Sequence, residues 1–280
     1  WGDFAQSDFR IAYNLFLRSD ENDEIMNSCE DKYEALARMV AREEHTEFDL
    51  EKFKSERQVY KRMTLATVYG TRDSQIADEQ QFIKRMTEFL YKCPRYVEYE
   101  QRINDRIDLE LPVNIVGYFG NSEMIMNKYR RADIVNDALN APVQMGTSEI
   151  VILTINAILD EFYKLGYTSD DISVYYVRHD EPVFKIRKNV LKDCWVFKQF
   201  ETILIDDWSP LRLDFDYGYR YKVSDNDLKK SVSDITLANK DKINLLKPGE
   251  FTRESFYPIP ATAKLYLDIH HTSDQKSVVT

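Results

Sequence analysis

The sequence predicts an α+β fold, and three observations support it. Four residues from Arg57 to Tyr69 recur at intervals of four, which places them along one face of a helix. Residues 130–165 have the composition of a long helical region. Residues 172–178 are β-branched and aromatic, and a second such run follows at 183–186 after a short polar segment. That pattern is typical of a β-hairpin.

The first half of the chain is predicted to be mostly helical. Residues 2–17 begin as a short strand and continue into an apolar helix. The helix that carries Tyr69 is expected to stop at Gly70, because glycine commonly closes helices. Residues 74–108 contain two further helical patterns, separated near Pro94.

The second half is predicted to alternate between helices, strands and breaks. Pro112 and residues 117–120 mark irregular structure. Pro142 predicts a kink or break in the helical region 130–165, because proline disfavours a helical residue before it. The other predictions are a turn over 179–182, a helix over 190–206, a strand over 211–222 and a polar C-terminal segment.

The composition excludes a disordered acidic chain, and the overall net charge conceals a basic segment. The 280 residues are 43% hydrophobic, enough for a folded core. The net charge of −10 argues against a nucleic-acid partner for the chain as a whole. Residues 1–51, however, hold five basic and 14 acidic residues, whereas residues 52–72 hold six basic and one acidic residue. The predicted helix is therefore a local basic stripe within an acidic protein.

Cysteine usage favours a reducing compartment. The three cysteines are far apart, which is typical of neither a disulfide framework nor a zinc site, and they are expected to be small buried apolar residues.

No apolar run reaches the roughly 20 residues of a membrane span. We therefore expect a soluble cytoplasmic protein without a membrane partner.

Three separated features together suggest phosphoryl-transfer chemistry. Asp3 lies on a predicted strand, and Asp180 and Glu181 lie at the hairpin tip. Carboxylates at neighbouring strand ends can hold hard cations. Arg57 and Lys61 on the basic helix can hold a triphosphate. This combination is the apparatus of two-metal phosphoryl transfer.

The same segments resemble the palm and fingers of a family A DNA polymerase, the class of bacterial polymerase I and many phage replicases. Four segments in the same order carry the resemblance, which covers about residues 2–222. They are DFAQSDFR (3–10) for motif A, RQVYKRMTLATVYG (57–70) for motif B, RRADIVNDALNAPVQMGTSEI (130–150) for the helix between B and C, and RHDEPVFKI (178–186) for motif C.

The resemblance implies a role for each matched residue. Asp3 and Asp180 are the implied ligands of two Mg²⁺ ions, with Mn²⁺ as a substitute, and Glu181 is the implied third catalytic residue. The implied substrates are primer-template DNA and a dNTP. The implied nucleotide-binding residues are Asp8, Arg57, Lys61, Leu65 and Tyr69, and the implied DNA-binding residues are Gln6, Arg130, Asn140, Gln144 and His179.

The departures from the family pattern concern selectivity more than chemistry. Asp8 stands where the family has a sugar-selecting Glu, and Leu65 stands where it has Phe or Tyr. Asn136 replaces a family Arg, and Met145 is an insertion. Fidelity and discrimination against ribonucleotides are therefore the properties in doubt.

Other interpretations stay open at this stage. In isolation, each acid would be a solvated surface residue, and each cation part of a solvated helix face. For Tyr69, core packing is about as good an explanation as template contact. A single-subunit RNA polymerase has a related palm, and a non-catalytic polymerase-like subunit would share the fold. The intact carboxylates argue against the latter, and Gln6 and Glu181 favour a DNA polymerase over an RNA polymerase.

The resemblance also implies a domain organisation. The chain begins two residues before Asp3, so the expected thumb is missing, and we expect either a fragment or a split polymerase, of phage origin, whose second polypeptide carries the thumb and an exonuclease if one is present. The predicted fold is a polymerase palm, an antiparallel sheet with helices, with an inserted helical fingers subdomain. Its predicted parts are palm 1–18, fingers 19–129 with the motif B helix at 55–70, palm 130–222 with the motif C hairpin at 172–186, and a C-terminal extension 223–280.

Overall fold

The α+β class is confirmed by the structure, a computed structural model that describes residues 1–109, 111–126, 130–220, 222–244 and 249–251. Of the predicted C-terminal extension 223–280, residues 245–248 and 252–280 lie outside the described residues. The elements in chain order are β1 (Gly2–Phe4), α1 (Ser7–Ala12), a π-helical turn (Tyr13–Leu17), α2 (Asp20–Ser28), α3 (Lys32–Glu43), α4 (Leu50–Val68), α5 (Ala77–Leu90), α6 (Pro94–Leu109), β2 (Val113–Val116), β3 (Ser122–Ile125), α7 (Arg131–Lys164), β4 (Ile172–Arg178), β5 (Glu181–Ile186), a 3₁₀ helix (Lys188–Phe200), β6 (Thr202–Ile205), β7 (Leu211–Phe215), α8 (Asn226–Ala238), α9 (Lys240–Asn244) and β8 (Gly249–Phe251).

The described chain divides into two compact units. The sheet unit contains Trp1–Ser7 and the residues from Thr147 onward, and the helical unit contains Asp8–Gly146. The assignment of palm and fingers to these parts of the chain stays a prediction.

The helical unit is built on packed aromatic rings. Phe53 and Tyr60 of α4 and Phe82 of α5 form a chain of edge-to-face contacts, with ring centroids 5.4 and 4.8 Å apart. These rings bury one side of α4, so the lysines of the basic stripe are left on its other side. The helix begins at the cap Asp49, whose side chain accepts a hydrogen bond from the Lys52 backbone N–H at 2.9 Å.

The end of α4 is the predicted one. Tyr69 is the last, capping residue, and Gly70 follows with a φ of +104°, a backbone conformation that favours glycine. A Cβ at Gly70 would lie 2.3 Å from the amide group of Asn136, so both the conformation and the close approach require glycine here.

Pro112 and residues 117–120 lie outside strands and helices, as predicted. They flank an antiparallel hairpin that the sequence did not predict, β2–β3, in which Val113 pairs with Ile125 and Val116 with Ser122. Of the kink or break predicted at Pro142, the break is absent, since α7 continues through it. Tyr99 provides the reason, because its hydroxyl donates a 3.0 Å hydrogen bond to the Ala138 carbonyl, the acceptor that the missing N–H of Pro142 leaves unused.

The sheet unit contains a four-stranded sheet in the order β1-β7-β6-β8, with β6 and β8 parallel and the other neighbours antiparallel. The β4–β5 hairpin is confirmed and forms its own two-stranded sheet. The core of the sheet unit joins α7, the hairpin, the 3₁₀ helix and α8. It includes the buried side chains of Phe162, Ile172, Cys194, Phe197 and Val232. As predicted, Cys29, Cys93 and Cys194 are all buried and free.

Boundaries in the sheet unit differ from the sequence predictions. Only His179 and Asp180 connect the two hairpin strands. Glu181 is already the first residue of β5 and pairs with Arg178, the last residue of β4. The predicted helix 190–206 is a 3₁₀ helix that ends at Phe200 and is followed by β6, and the predicted strand 211–222 ends at Phe215.

Within the described residues, α7 is the helix that is long and apolar enough to cross a membrane by length and composition alone. Its most apolar 18-residue window has a mean hydropathy of 1.3, and 56% of that window is buried inside the protein. A core helix has the same properties, and α7 contributes Phe162 to the core of the sheet unit.

Candidate active site

In the sheet unit, the three predicted catalytic residues lie together. Asp3 is exposed at the centre of β1, between the buried residues Gly2 and Phe4. Asp180 lies in the tight connection of the β4–β5 hairpin, and Glu181 is the first residue of β5. Since β1 packs against β5, the three carboxylates form one acidic cluster.

The electrostatics of Asp3 reflect this clustering. Partial burial raises the pKa of Asp3 above its usual value, and the negative charges of Asp180, Glu181 and Asp214 raise it further. Lys222 opposes these effects. Asp214 is the residue of β7 that pairs with Asp3 across the sheet. Ionised carboxylates held together in this way repel one another, and a bound cation would remove that repulsion.

Hydrogen bonds distinguish the roles that these acids can take. The hydroxyl of Ser7, a buried residue at the start of α1, donates to Oδ2 of Asp180 at 2.5 Å. Glu181 is only 7% exposed, and its Oε2 lies 3.1 Å from Nζ of Lys222. Lys222 therefore neutralises part of the charge of Glu181, whereas Ser7 fixes the position of Asp180 without neutralising it.

The carboxylates fit a magnesium site of the kind that substrate completes. No group of three or more His, Cys, Asp or Glu side chains within the described part of the chain is arranged to hold a metal ion by itself. Mg²⁺ is commonly bound through one or two carboxylates together with water and substrate phosphates. Asp3 and Asp180 can supply the two carboxylates, and the charge of Asp180 contributes, after burial, to the raised pKa of Asp3.

Left-handed backbone flanks the acidic cluster. Gln6 has a φ of +56° and lies between β1 and α1, next to Ser7. His179 has a φ of +52° and precedes Asp180 in the hairpin connection. This conformation is uncommon outside glycine and costs energy in most side chains. Both sides of the Ser7–Asp180 hydrogen bond are therefore held by tight, strained connections.

In the helical unit, Arg57 and Lys61 lie on one face of α4. The Nε of Arg57 donates to Oδ2 of Asp31 at 2.6 Å, which leaves both terminal nitrogens of the guanidinium to other ligands. The other oxygen of Asp31 accepts from the Tyr33 backbone N–H at 3.0 Å and caps α3. Lys61 is exposed and forms no ion pair with a described residue. The two cations are thus available to a polyanion.

A buried tyrosine hydroxyl lies at the end of the same helix. The Tyr69 hydroxyl is buried and has no hydrogen-bond partner among the described residues. Burial raises the pKa of Tyr69, and the nearby Asp8 and Tyr33 raise it further. Tyr33 stacks on Phe9 with ring centroids 5.6 Å apart. Leu65, one turn before Tyr69, is half-buried.

The predicted DNA-binding residues at and near the start of α7 are in different environments. Arg130 is exposed and forms a bidentate ion pair with Asp133 at 2.9–3.0 Å. Gln144 is exposed. The Oδ1 of Asn140 is buried without a hydrogen-bond partner among the described residues. Asn136, with its amide oriented by its neighbours, donates to the Tyr69 carbonyl at 2.9 Å and so joins α7 to the end of α4.

Sequence reasoning missed several residues that support the site. Ser7 lies within the motif A segment, and its position four residues after Asp3 was a usable signal. Asp214 lies in a predicted strand, but its pairing with Asp3 depends on a register that the sequence does not reveal. Nothing in the sequence pattern indicated Lys222 for Glu181 or Asp31 for Arg57.

Comparisons with known proteins support the fold. No protein-family model matches the sequence, and no curated protein matches it either. The structure is similar to a solved structure of the POL domain of Pol1 from M. smegmatis in complex with DNA primer-template and dNTP, with a TM-score of 0.60 and 18% sequence identity. The match covers 80% of this chain and 40% of the other chain. The fold is thus similar to that of a DNA polymerase domain, and the roles of individual residues stay predictions.

Proposed function

We propose that this chain is the catalytic palm and fingers region of a DNA-directed DNA polymerase of family A type, which adds a dNMP to a primer 3′ end. The observation that carries the proposal is the acidic cluster of Asp3, Asp180 and Glu181, which the packing of β1 against β5 brings together. Its occurrence in a chain with the fold of a DNA polymerase domain supports the same conclusion.

In this proposal Asp3 and Asp180 would hold two Mg²⁺ ions, for which Mn²⁺ could substitute. Ions bound there would supply a lowered pKa of the primer hydroxyl and neutralisation of phosphate charge. Ser7 keeps Asp180 oriented through its 2.5 Å hydrogen bond. Glu181, which forms an ion pair with Lys222, lies beside the primer end and adds negative charge there without coordinating a metal ion directly.

Arg57 and Lys61 bind the triphosphate of the incoming dNTP. Asp31 holds the guanidinium of Arg57 by Nε, so that its two terminal nitrogens face phosphate oxygens. Asp8, Leu65 and Tyr69 form the pocket for the sugar and base. Because Asp8 is one methylene shorter than glutamate, we expect discrimination against ribonucleotides to be looser than a glutamate would give.

The DNA contacts complete the proposal. His179 contacts the primer terminus, and its exposure beside Asp180 suits that role. The remaining proposed DNA-binding residues are Gln6, Arg130, Asn140 and Gln144. The chain spans about 40% of the length of the solved polymerase chain, so a thumb supplied by a second polypeptide is part of the proposal and not of the described fold.

The test is single-nucleotide incorporation on a labelled primer-template, with the chain in excess, at low salt and with Mg²⁺. Low salt strengthens DNA binding and excess chain keeps the primer-template bound, so weak affinity does not limit the amount of product. We expect incorporation of the complementary dNTP, with the matching NTP used less efficiently. Faster use of NTPs would favour the RNA polymerase alternative. Absence of both incorporation and Mg²⁺-dependent dNTP binding would favour a non-catalytic subunit.

The second polypeptide has its own test. With the chain in catalytic amounts, we expect poor extension because primer-template dissociates readily without a thumb. Robust multiple-turnover extension by the chain alone would contradict the need for a partner.

A further inference from the structure

The sheet unit contains a cleft that the proposed reaction does not use. It has a volume of about 880 Å³ and lies along the second half of β5, the start of the 3₁₀ helix and the loop after β7. Its lining is basic and aromatic. The residues that matter here are Tyr175, Lys185, Arg187, Lys188, Tyr219 and Arg220.

The cations of this cleft form no close ion pairs. None of Lys185, Arg187, Lys188 and Arg220 lies within 4 Å of a carboxylate oxygen of a described residue, although the charge of Arg187 contributes to the lowered pKa of Asp171 and the protein carries a net charge of −10. The acid in the lining, Asp216, is already engaged by Lys229 and by the Ser224 hydroxyl, both at 2.6 Å. The cleft is therefore a positive site on an acidic protein, which is the charge pattern that attracts a polyanion.

Two tyrosines give the cleft stacking surfaces. Tyr175 of β4 is 68% exposed, and Tyr219 in the loop after β7 is 70% exposed. Exposed rings beside lysine and arginine are the combination used to bind single strands, in which each unpaired base offers a face for stacking. The bases of a duplex are already stacked on one another, so they do not offer those faces.

We propose that this cleft binds a single strand of nucleic acid, with its phosphates at Lys185, Arg187 and Lys188 and bases on Tyr175 and Tyr219. The strand β5 that lines the cleft begins at Glu181, beside the acidic cluster. A strand in the cleft thus lies along the same hairpin that carries Asp180. This inference does not depend on the proposed polymerase activity, because it concerns residues without a role in it.

The test is the fluorescence anisotropy of labelled dT15, rU15 and a 15-base-pair duplex with the 280-residue chain. We expect the single strands to bind more tightly than the duplex, and the tighter single strand identifies DNA or RNA as the natural ligand. In the K185A/R187A variant the affinity for the single strand should fall at least tenfold, and the salt dependence of log K should become shallower by about 1.4 for two lost phosphate contacts. Equal affinity for duplex and single strand would overturn the proposal.

A charge-matched variant controls for net charge. Lys192 and Lys230 are exposed, lie outside the cleft and form no ion pair with a described residue. K192A/K230A should therefore keep near wild-type affinity. If both double variants lose affinity equally, binding is a general charge effect and the proposal is wrong.

The tyrosines separate stacking from charge. Tyr175→Ala and Tyr219→Ala should each weaken binding by roughly 5-fold to 100-fold, whereas Tyr175→Phe should retain it because the ring remains. Crosslinks from 5-iodouracil in the oligonucleotide should map to these tyrosines. Crosslinks confined to α4 would contradict the proposal. Asp180→Asn should leave this binding intact, so loss of polymerase activity and loss of cleft binding can be told apart.

Discussion

The hydroxyl of Tyr99 on α6 donates a 3.0 Å hydrogen bond to the carbonyl of Ala138 on α7. In an uninterrupted helix that carbonyl would accept from the backbone N–H of residue 142, which is a proline. A side chain from another helix thus replaces the missing donor. This contact explains how α7 passes through Pro142 without ending.

Removal of that donor should destabilise the protein. We expect Tyr99→Phe to lower the free energy of unfolding by about 1–3 kcal/mol, because it leaves the buried Ala138 carbonyl unsatisfied. Urea denaturation measures the effect. Tyr163→Phe is the control, since Tyr163 is 41% exposed and its hydroxyl makes no hydrogen bond to a described residue.

A second substitution makes this prediction specific. Pro142→Ala restores a backbone N–H for Ala138, so Tyr99→Phe should cost less in the Pro142→Ala background than in the wild-type protein. An identical cost in both backgrounds would show that the hydroxyl does not replace the missing donor.

These residues also show the limit of sequence reasoning about the fold. Local signals were sufficient for the helix that ends at Gly70 and for the β4–β5 hairpin, because periodicity and turn residues lie close together in sequence. The helix does not break at Pro142, because the missing backbone donor is replaced by the hydroxyl of Tyr99, more than forty residues earlier. Hydrogen bonds between distant residues are tertiary information that a local pattern does not contain.

The Asp31–Arg57 ion pair should affect nucleotide binding more than chemistry. Asp31→Asn keeps an N-cap for α3 but removes the charge that orients Arg57. We expect the KM for the dNTP to rise by roughly 3-fold to 10-fold with a smaller change in kcat. Asp49→Asn, which alters the cap of α4 without touching Arg57, should leave KM unchanged. A fall in kcat alone would contradict this role.

Gly70 should tolerate a side chain poorly. Gly70 and Gly166 both have positive φ, but a Cβ at Gly166 meets nothing within 4 Å, whereas one at Gly70 meets the amide of Asn136 at 2.3 Å. We expect Gly166→Ala to cost about 1 kcal/mol from backbone strain and Gly70→Ala to cost about 1–3 kcal/mol more. Equal costs by urea denaturation would exclude the contact with Asn136 as the cause.

Asp3 should reduce stability at neutral pH. Since its pKa is raised in the folded protein, the folded state holds a proton that the unfolded state has lost, so its contribution to stability falls as the pH rises above about 4. Asp3→Asn should raise Tm at pH 7 and leave it unchanged below pH 3.5. Added Mg²⁺ should raise the Tm of the wild-type protein but not of this variant. A lower Tm for Asp3→Asn at pH 7 would contradict the origin of the shift.

The candidate site was predictable only as a set of motif residues. Asp3, Asp180 and Arg57 were identified because each belongs to a short segment with a recognisable order of residues. Ser7 bound to Asp180 and Asp214 opposite Asp3 depend on how separate strands come together, and β-strand register is set by the whole sheet. The sequence therefore suggested which residues to propose for the site, whereas the residues that hold Asp3 and Asp180 in position came from the structure.

The most direct test of the polymerase assignment is the rate of single-dNMP incorporation by the Asp180→Asn protein, with enzyme in excess over primer-template. We expect a loss of more than about a hundredfold relative to the wild-type chain, because a carboxylate proposed to hold the catalytic cations is removed. Asp170→Asn, an exposed acid in the same unit, should keep the wild-type rate. Incorporation by Asp180→Asn at the wild-type rate would contradict the account.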